Sequence, residues 1–284
     1  MADSLAGSDN PAGLVDLAGL VLAAGEGSRL RPLTSLRPKP LCPVGDVAMV
    51  DHALAAVGAV VGSDALAVNV HHGIAAMESH LGEWSRRVSR RVHVSVERDA
   101  ALGTAGAVGN LRGWLDGRAL LVANADAWHR AGLHELVDAW DGLRPAVLTD
   151  TAGPFGARSS VVASILPAGI AGGLGAEPAG LWELVWRGAV AEGRMQTVHT
   201  TATVIDCGTP AGYLRANLDW AAGAGPGRPS RAGQPPRPDG SVVGDGAVVE
   251  GSVERCVVWP DARVGPTEHL VDAIRADRLT VLVR

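Results

Sequence analysis

The order in which apolar runs and amphipathic stretches alternate constrains this chain more than any other feature. "LAGLVLAA" (17–24), "ALAVNV" (65–70), "RVHVSV" (91–96), "ALLVAN" (119–124) and "PAVLTD" (145–150) are short runs rich in apolar and β-branched residues. That is the pattern of strands buried on both faces. Between the first two, "MVDHALAAVGAVV" brings Met49, Ala53, Leu54, Val57 and Val60 round at helical spacing, and "LHELVDAW" does the same between the fourth and fifth. Strand alternating with helix predicts an α/β protein: a doubly wound, mostly parallel sheet with its ligand crevice at the carboxyl ends of the strands.

The remaining sequence sets the boundaries. Residues 1–16 read as a flexible tail with no basic, apolar leader pattern. The main domain is expected over 17–222, and "GAGPGRPSRAGQPPRPD" (223–239) reads as a Gly/Pro-rich linker, since that composition sustains neither periodicity. In 240–284, Val243, Val249 and, less regularly, Val257 recur near six-residue intervals with Gly and Asp between them. This resembles a short left-handed β-helix of hexapeptide repeats. About one and a half coils are expected before a closing short helix and strand. So few coils need the main domain or a partner subunit to cover them, and a homo-oligomer is one way to do so.

Composition excludes several function classes. Thirty acids outnumber 25 basic residues, so no footprint for nucleic acid or an anionic membrane stands out. No run reaches the roughly 18 apolar residues of a membrane span. Cys42, Cys207 and Cys256 are too few and too scattered for a disulfide framework or a zinc site, which fits a cytoplasmic protein. We read them as unreactive apolar residues, "SRRVSRR" (85–91) as a solvated helix face, Trp182 and Trp186 as core, and His71 and His72 as rim residues.

The chemistry concentrates in "LAAGEGSRLRPLTSLRPKPLCPV" (22–44). A strand runs into Gly25-Glu26-Gly27, where two glycines let the backbone bend and present N–H groups to an anion. Taken alone, such a turn is as often purely structural. Arg29, Arg31 and Lys39 follow, stiffened by Pro32, Pro38, Pro40 and Pro43 into a loop able to hold cations against a polyanion at little ordering cost. Lys39 is the only lysine in the chain. An ammonium is a compact point charge with three donors, whereas guanidinium is a wide planar fork, so its survival marks a crowded phosphate contact. Asp126 and Asp206 each close an apolar run, at the strand ends where such sheets place ligands.

Together with "NVHH" (69–72), "ALGTAGAVGNL" (101–111), "LLVANADAW" (120–128) and "VIDCGTPAGYLRANLDW" (204–220), that stretch resembles the sugar-1-phosphate nucleotidyltransferases over residues 17–222. "LGTAGA" is most similar to the mannose-1-phosphate guanylyltransferase branch. The resemblance implies the Rossmann-like nucleotidyltransferase fold, transfer of a nucleoside monophosphate from an NTP to a sugar 1-phosphate, and release of pyrophosphate, with guanylyl or thymidylyl transfer expected. It implies NTP binding by Ala23, Ala24, Gly25, Gly27 and Ser28, pyrophosphate contact by Arg29 and contact of Lys39 with the reacting phosphates. It further implies approach to the base by Glu97, Gly103, Thr104 and Ala105, and Mg²⁺ held by Asp126 and Asp206, in keeping with that ion's use of one or two protein carboxylates.

Many members carry a Glu-Lys-Pro segment whose lysine grips the sugar phosphate. This chain has no second lysine, and residues 150–160 lack the motif. Arg158 is the candidate replacement. The alternative is a catalytically silent relative that binds nucleotide sugars as a regulatory or scaffold subunit. A dehydrogenase-like nucleotide binder is disfavoured, because the turn lacks the third glycine of that fingerprint.

Overall fold

The computed structural model of the chain describes residues 16–223 and 240–283. The expected tail (apart from Asp16) and linker (apart from Gly223) therefore lie outside the described residues. Seven strands form the central sheet in the order Gln196–His199, Ala146–Thr149, Ala163–Leu166, Ala119–Asn124, Leu17–Leu22, Leu66–Val70, His93–Val96. Ala163–Leu166 runs antiparallel to both of its neighbours. Every other pairing is parallel. The central strand, Leu17–Leu22, sets Leu20 beside Ala67 on one side and Val122 on the other.

Side chains alternate between two cores. Leu17, Val21, Val68 and Leu121 meet Leu54 and Val57 of the helix Met49–Gly58, and Met77 and Leu81 of the helix Ile74–Val88. Leu20, Ala67, Leu120 and Val122 meet Val108, Leu111 and Leu174 on the other face. Each large side chain so buried contributes about 1.5–3 kcal/mol. A one-residue slip would turn both faces inside out, so the register is fixed.

Three local readings change. His93–Val96 is an edge strand, exposed at His93 and fully buried only at Ser95, that starts two residues later than its predicted run, having a neighbour on one side only. The 85–91 segment is mostly exposed, as expected, but two of its arginines also reach inward: Arg87 donates to the buried carboxylate of Asp51 at 2.8 Å, and Arg90 to the carbonyls of Gly58 at 2.6 Å and Val61 at 2.9 Å. Trp182 and Trp186 are half-buried on a π-helical turn, edge-on to Phe155.

More coil is built at the C-terminus than the apolar pattern predicts. Parallel ladders stack Val242 on Val257 and Val257 on Ile274, Val248 on Arg263, and Ser252 on His269. The result is two coils and the first rung of a third. The expected closing helix is absent among the described residues; strands His269–Val271, Ala273–Ala276 and Leu279–Leu282 take its place, the last folding back antiparallel. Arg255, Asp261, Asp272 and Asp277 adopt φ between 48° and 61°. Asp tolerates that left-handed conformation better than most residues, so corners form without the glycines that would mark them. Val258, Val264, Leu270 and Ala276 point inward, while Val243 and Val249 are half-buried.

Candidate active site

The site assembles at the carboxyl edge of the sheet through buried side-chain bonds between three loops. The Ala23 N–H donates to Asn69 Oδ1 at 2.9 Å, and Asn69 Nδ2 donates to Glu97 Oε1 at 2.8 Å. Glu97 Oε2 then accepts from the Leu102 N–H at 2.8 Å. A carboxylate only 3% exposed thus spends both oxygens tying the loops after three strands together. Burial without such partners would cost several kcal/mol (~1–3 per unmet group). His71 Nδ1 donates to the Glu97 carbonyl at 2.6 Å, its ring edge-on to that of His72.

The 101–105 segment, which leads into the helix Gly103–Asn110, is braced from behind. The Ala179 N–H donates to the Leu102 carbonyl at 3.0 Å, the Ala105 N–H to the Ala179 carbonyl at 2.9 Å, and the Leu181 N–H to Thr104 Oγ1 at 2.8 Å. Gly103 sits at φ 68°, and a Cβ there would come within 2.6 Å of the Ala179 carbonyl oxygen. Only glycine fits both demands.

These loops enclose a cleft of about 230 Å³. Among its lining are Ala23, Ala24, Gly25, Lys39, Gly103, Thr104 and Asp126, joined by Asn69 and Asn124. A volume below the usual range for small-molecule sites suits one moiety of a ligand, with the rest lying over the open edge. The two asparagines are the residues that sequence reasoning passed over. Their signal is a polar side chain at the carboxyl end of an otherwise apolar strand run.

Lys39 is 5% exposed, and its Nζ donates to Asp126 Oδ2 at 2.8 Å. An ammonium has three donors, and among the described residues only one is engaged, which leaves two for a ligand in the cleft. The backbone is shaped around it: Gly27 is at φ 69°, and a Cβ there would fall 2.8 Å from Lys39 Cβ. Gly27 therefore makes room for the lysine. Ser28 and Arg29 lie exposed on a 3₁₀ turn beyond. The Arg29 guanidinium stands 3.7 Å from Asp206 Oδ2, both groups largely in solvent. Such a pair contributes little stability and is free to rearrange.

The backbone segments that carry the two acids run side by side because Ala127–His129 pairs antiparallel with Val204–Asp206, setting Asp206 opposite Ala127. The Cys207 N–H also donates to the Asp126 carbonyl at 3.1 Å. Asp206 Oδ1 accepts from the Gly208 N–H at 2.7 Å, which orients its carboxylate. Asp126 Oδ1 accepts no hydrogen bond among the described residues, and Asp206 Oδ2 has only the loose arginine pair. Hard oxygen donors of this kind, on two carboxylates, suit Mg²⁺, which fills its octahedron with waters and phosphate oxygens. No group of three His, Cys, Asp or Glu side chains positioned for a metal occurs among the described residues.

Gly27, Ser28, Arg29 and Asp206 are not among the residues that line the cleft, and neither are three further expected residues. Glu97 lies beneath the cleft with both oxygens engaged, and Ala105 is fully buried against the segment behind it. Arg158 is exposed on the 150–160 loop and is not among the lining residues. The thiols of Cys42 and Cys207 are buried, and burial pushes each up to about 12, so both stay protonated at neutral pH.

Comparison with known proteins bears on this geometry. Residues 18–152 match the family model described as Nucleotidyl transferase. An N-acetylmuramate alpha-1-phosphate uridylyltransferase of Caulobacter vibrioides is 37% identical over 130 residues, 44% of this chain and 53% of that protein. A mannose-1-phosphate guanylyltransferase of Mycobacterium tuberculosis is 32% identical over 119 residues, 42% of this chain and 32% of that protein. The chain thus spans about half the length of the first relative and a third of the second. A Bacillus anthracis crystal structure described as a glucose-1-phosphate thymidylyltransferase superposes with TM-score 0.57 at 18% identity, covering 71% of this chain and 94% of that one. At that identity the likeness is one of fold.

Proposed function

Because residues 18–152 match the nucleotidyl transferase family model, we propose that the chain is a member of that family, that it transfers a nucleoside monophosphate from an NTP to a sugar 1-phosphate and that it releases pyrophosphate. The observation that carries this reading is the buried Lys39, paired with Asp126 at the cleft and left with two free donors. A sugar-1-phosphate oxygen, already an anion, attacks the α-phosphorus in line with the departing pyrophosphate, so no general base is needed. What the protein must do is hold two polyanions together and offset charge on the leaving oxygens. Lys39 meets the reacting phosphates, and Arg29 swings from Asp206 to the pyrophosphate. The backbone at Ala23, Ala24 and Gly25 cradles the triphosphate, with Gly27 and Ser28 carrying the turn onward. Gly103 and Thr104 face the base, while Glu97 and Ala105 set the loop that presents them.

Asp126 and Asp206 would hold Mg²⁺, which supplies charge neutralisation at the phosphates when bound. We assign the transferase body to 17–222 and the coiled, hexapeptide-like tail to 240–284. The reading is of a cytoplasmic enzyme; no helix among the described residues is long and apolar enough to cross a membrane. The relatives named above differ in base, adding uridylyl transfer to the guanylyl and thymidylyl transfers that the sequence favoured.

One observation favours a second reading, a silent nucleotide-sugar binder: the exposed Arg158 does not line the cleft, leaving the second phosphate grip unassigned. Pyrophosphate release with Mg²⁺ separates the two. The panel is GTP, dTTP, UTP, CTP and ATP against mannose-, glucose- and N-acetylhexosamine-1-phosphates, with N-acetylmuramate-1-phosphate added. Release that requires both substrates and falls about 10²–10³-fold in Lys39→Ala supports transfer. Folded protein that releases nothing, yet gains thermal stability from a nucleotide sugar, supports the binder.

A further inference from the structure

The C-terminal coil shares its core with the loop that carries the lysine. Leu30, Leu33, Cys42 and Val44 pack in one cluster with Val257, Trp259 and Ile274. Directional contacts reinforce that packing. The Arg37 guanidinium lies 4.4 Å from the centroid of the Trp259 ring. Trp259 Nε1 donates to the Tyr213 hydroxyl at 2.9 Å, and that hydroxyl in turn donates to the Pro43 carbonyl. The Gly45 N–H donates to Asn217 Oδ1 at 2.9 Å. Arg37, Pro43 and Gly45 bracket Lys39. The bracketed backbone forms only a short 3₁₀ turn, Lys39–Leu41, and a two-residue strand, Pro43–Val44.

A segment with so little ladder of its own opens easily unless packing holds it. Trp259 is 1% exposed and Tyr213 fully buried, so the hold comes from rigid, desolvated groups. We propose that the C-terminal coil is a positioning element of the active site: Trp259, relayed by Tyr213 and stacked on Arg37, fixes the 37–45 segment so that Lys39 stays against Asp126 and faces the cleft. The catalytic consequence rests on the transferase reading; the positional claim does not.

Because Lys39 is the only lysine, an amine-selective acylating ester followed by peptide mass spectrometry reads its exposure directly. In full-length wild type, acylation of Lys39 should be slow. Trp259→Leu should accelerate it about tenfold, and so should Arg37→Ala, which removes the stack but leaves the buried core intact. Trp259→Phe, keeping a ring under Arg37, should restore most of the protection. Leu174→Ala, in the core on the opposite face of the sheet, lowers Tm as a control and should leave the labelling rate unchanged.

Wild-type labelling rates in Trp259→Leu and Arg37→Ala overturn the proposal, as does equal acceleration by Leu174→Ala. If Trp259→Leu does not fold, Arg37→Ala decides alone. In a wild type that releases pyrophosphate, the two coil-contact variants should lower kcat more than they raise KM. A wild type inactive with every pair removes the transferase reading, while the labelling comparison still decides the positioning claim.

Discussion

Lys39 shows why charge alone does not define the site. Its stem is packed where Gly27 has given up its own Cβ, and its head touches Asp126 at 2.8 Å. A guanidinium keeps the charge but needs more room and a different donor geometry. Lys39→Arg should therefore cost about 1–3 kcal/mol by overpacking, read as a lower Tm or urea midpoint. Pyrophosphate release should fall about 10²-fold despite the conserved charge. Lys39→Ala should be the better tolerated of the two in stability, because the carboxylate it abandons is 46% exposed and can rehydrate. Equal activity in Lys39→Arg and wild type would mean that the position reads charge and not shape.

At the scale of elements, the Asn69–Glu97 pair does what no single loop can do, since it ties the ends of Leu17–Leu22, Leu66–Val70 and His93–Val96 to the start of the next loop. Glu97→Gln is nearly isosteric, yet it replaces one acceptor oxygen by a donor facing either Asn69 Nδ2 or the Leu102 N–H. One buried donor then loses its partner, so the variant should lose about 1–3 kcal/mol in urea unfolding. It should also raise the nucleotide KM, because the loop carrying Gly103 and Thr104 loses its anchor. An unchanged KM would show that the 179–181 brace suffices. Four of the five strand runs were legible because buried strands write near-continuous apolar sequence, and the fifth, "RVHVSV", because an edge strand alternates valine with polar residues. Ala163–Leu166 and Gln196–His199 were not: one is masked by a proline and glycine context, the other is short and half-exposed. Glu97 was legible as important but not in role, since spacing carries no information on which way a carboxylate faces. The coil corners were hidden for a related reason, Asp and Arg standing where glycine is the usual sign.

At the scale of the whole molecule, two histidines and two acids shape how stability depends on pH. Burial lowers the pKa of His129 on the Ala127–His129 strand, with neighbouring His52 adding to the effect and the hydrogen bond to the Ala131 carbonyl opposing it. Burial also lowers that of His93, stacked on Trp114. Both rings therefore bind a proton less readily in the fold than in the unfolded chain, where imidazoles titrate near 6.5. Below that pH the unfolded state binds more protons than the native one, so unfolding free energy rises with pH through this window and levels off above it. The paired acids act further down. Hydrogen bonds from Arg144 and Leu143 depress Asp141 to about 2, and the Arg255 guanidinium depresses Asp272. Their contribution is complete above the ordinary carboxylate range and is lost as pH falls through the depressed values. The urea midpoint should therefore be flat from about pH 8 to 7, begin to fall near 6.5, and fall again below about 4. His129→Asn keeps a donor within reach of the Ala131 carbonyl and removes the titration, so its midpoint should stay closer to flat between about pH 6.5 and 5. A slope in that interval as steep as wild type's would assign the loss to another group, with His93→Asn as the variant to measure beside it.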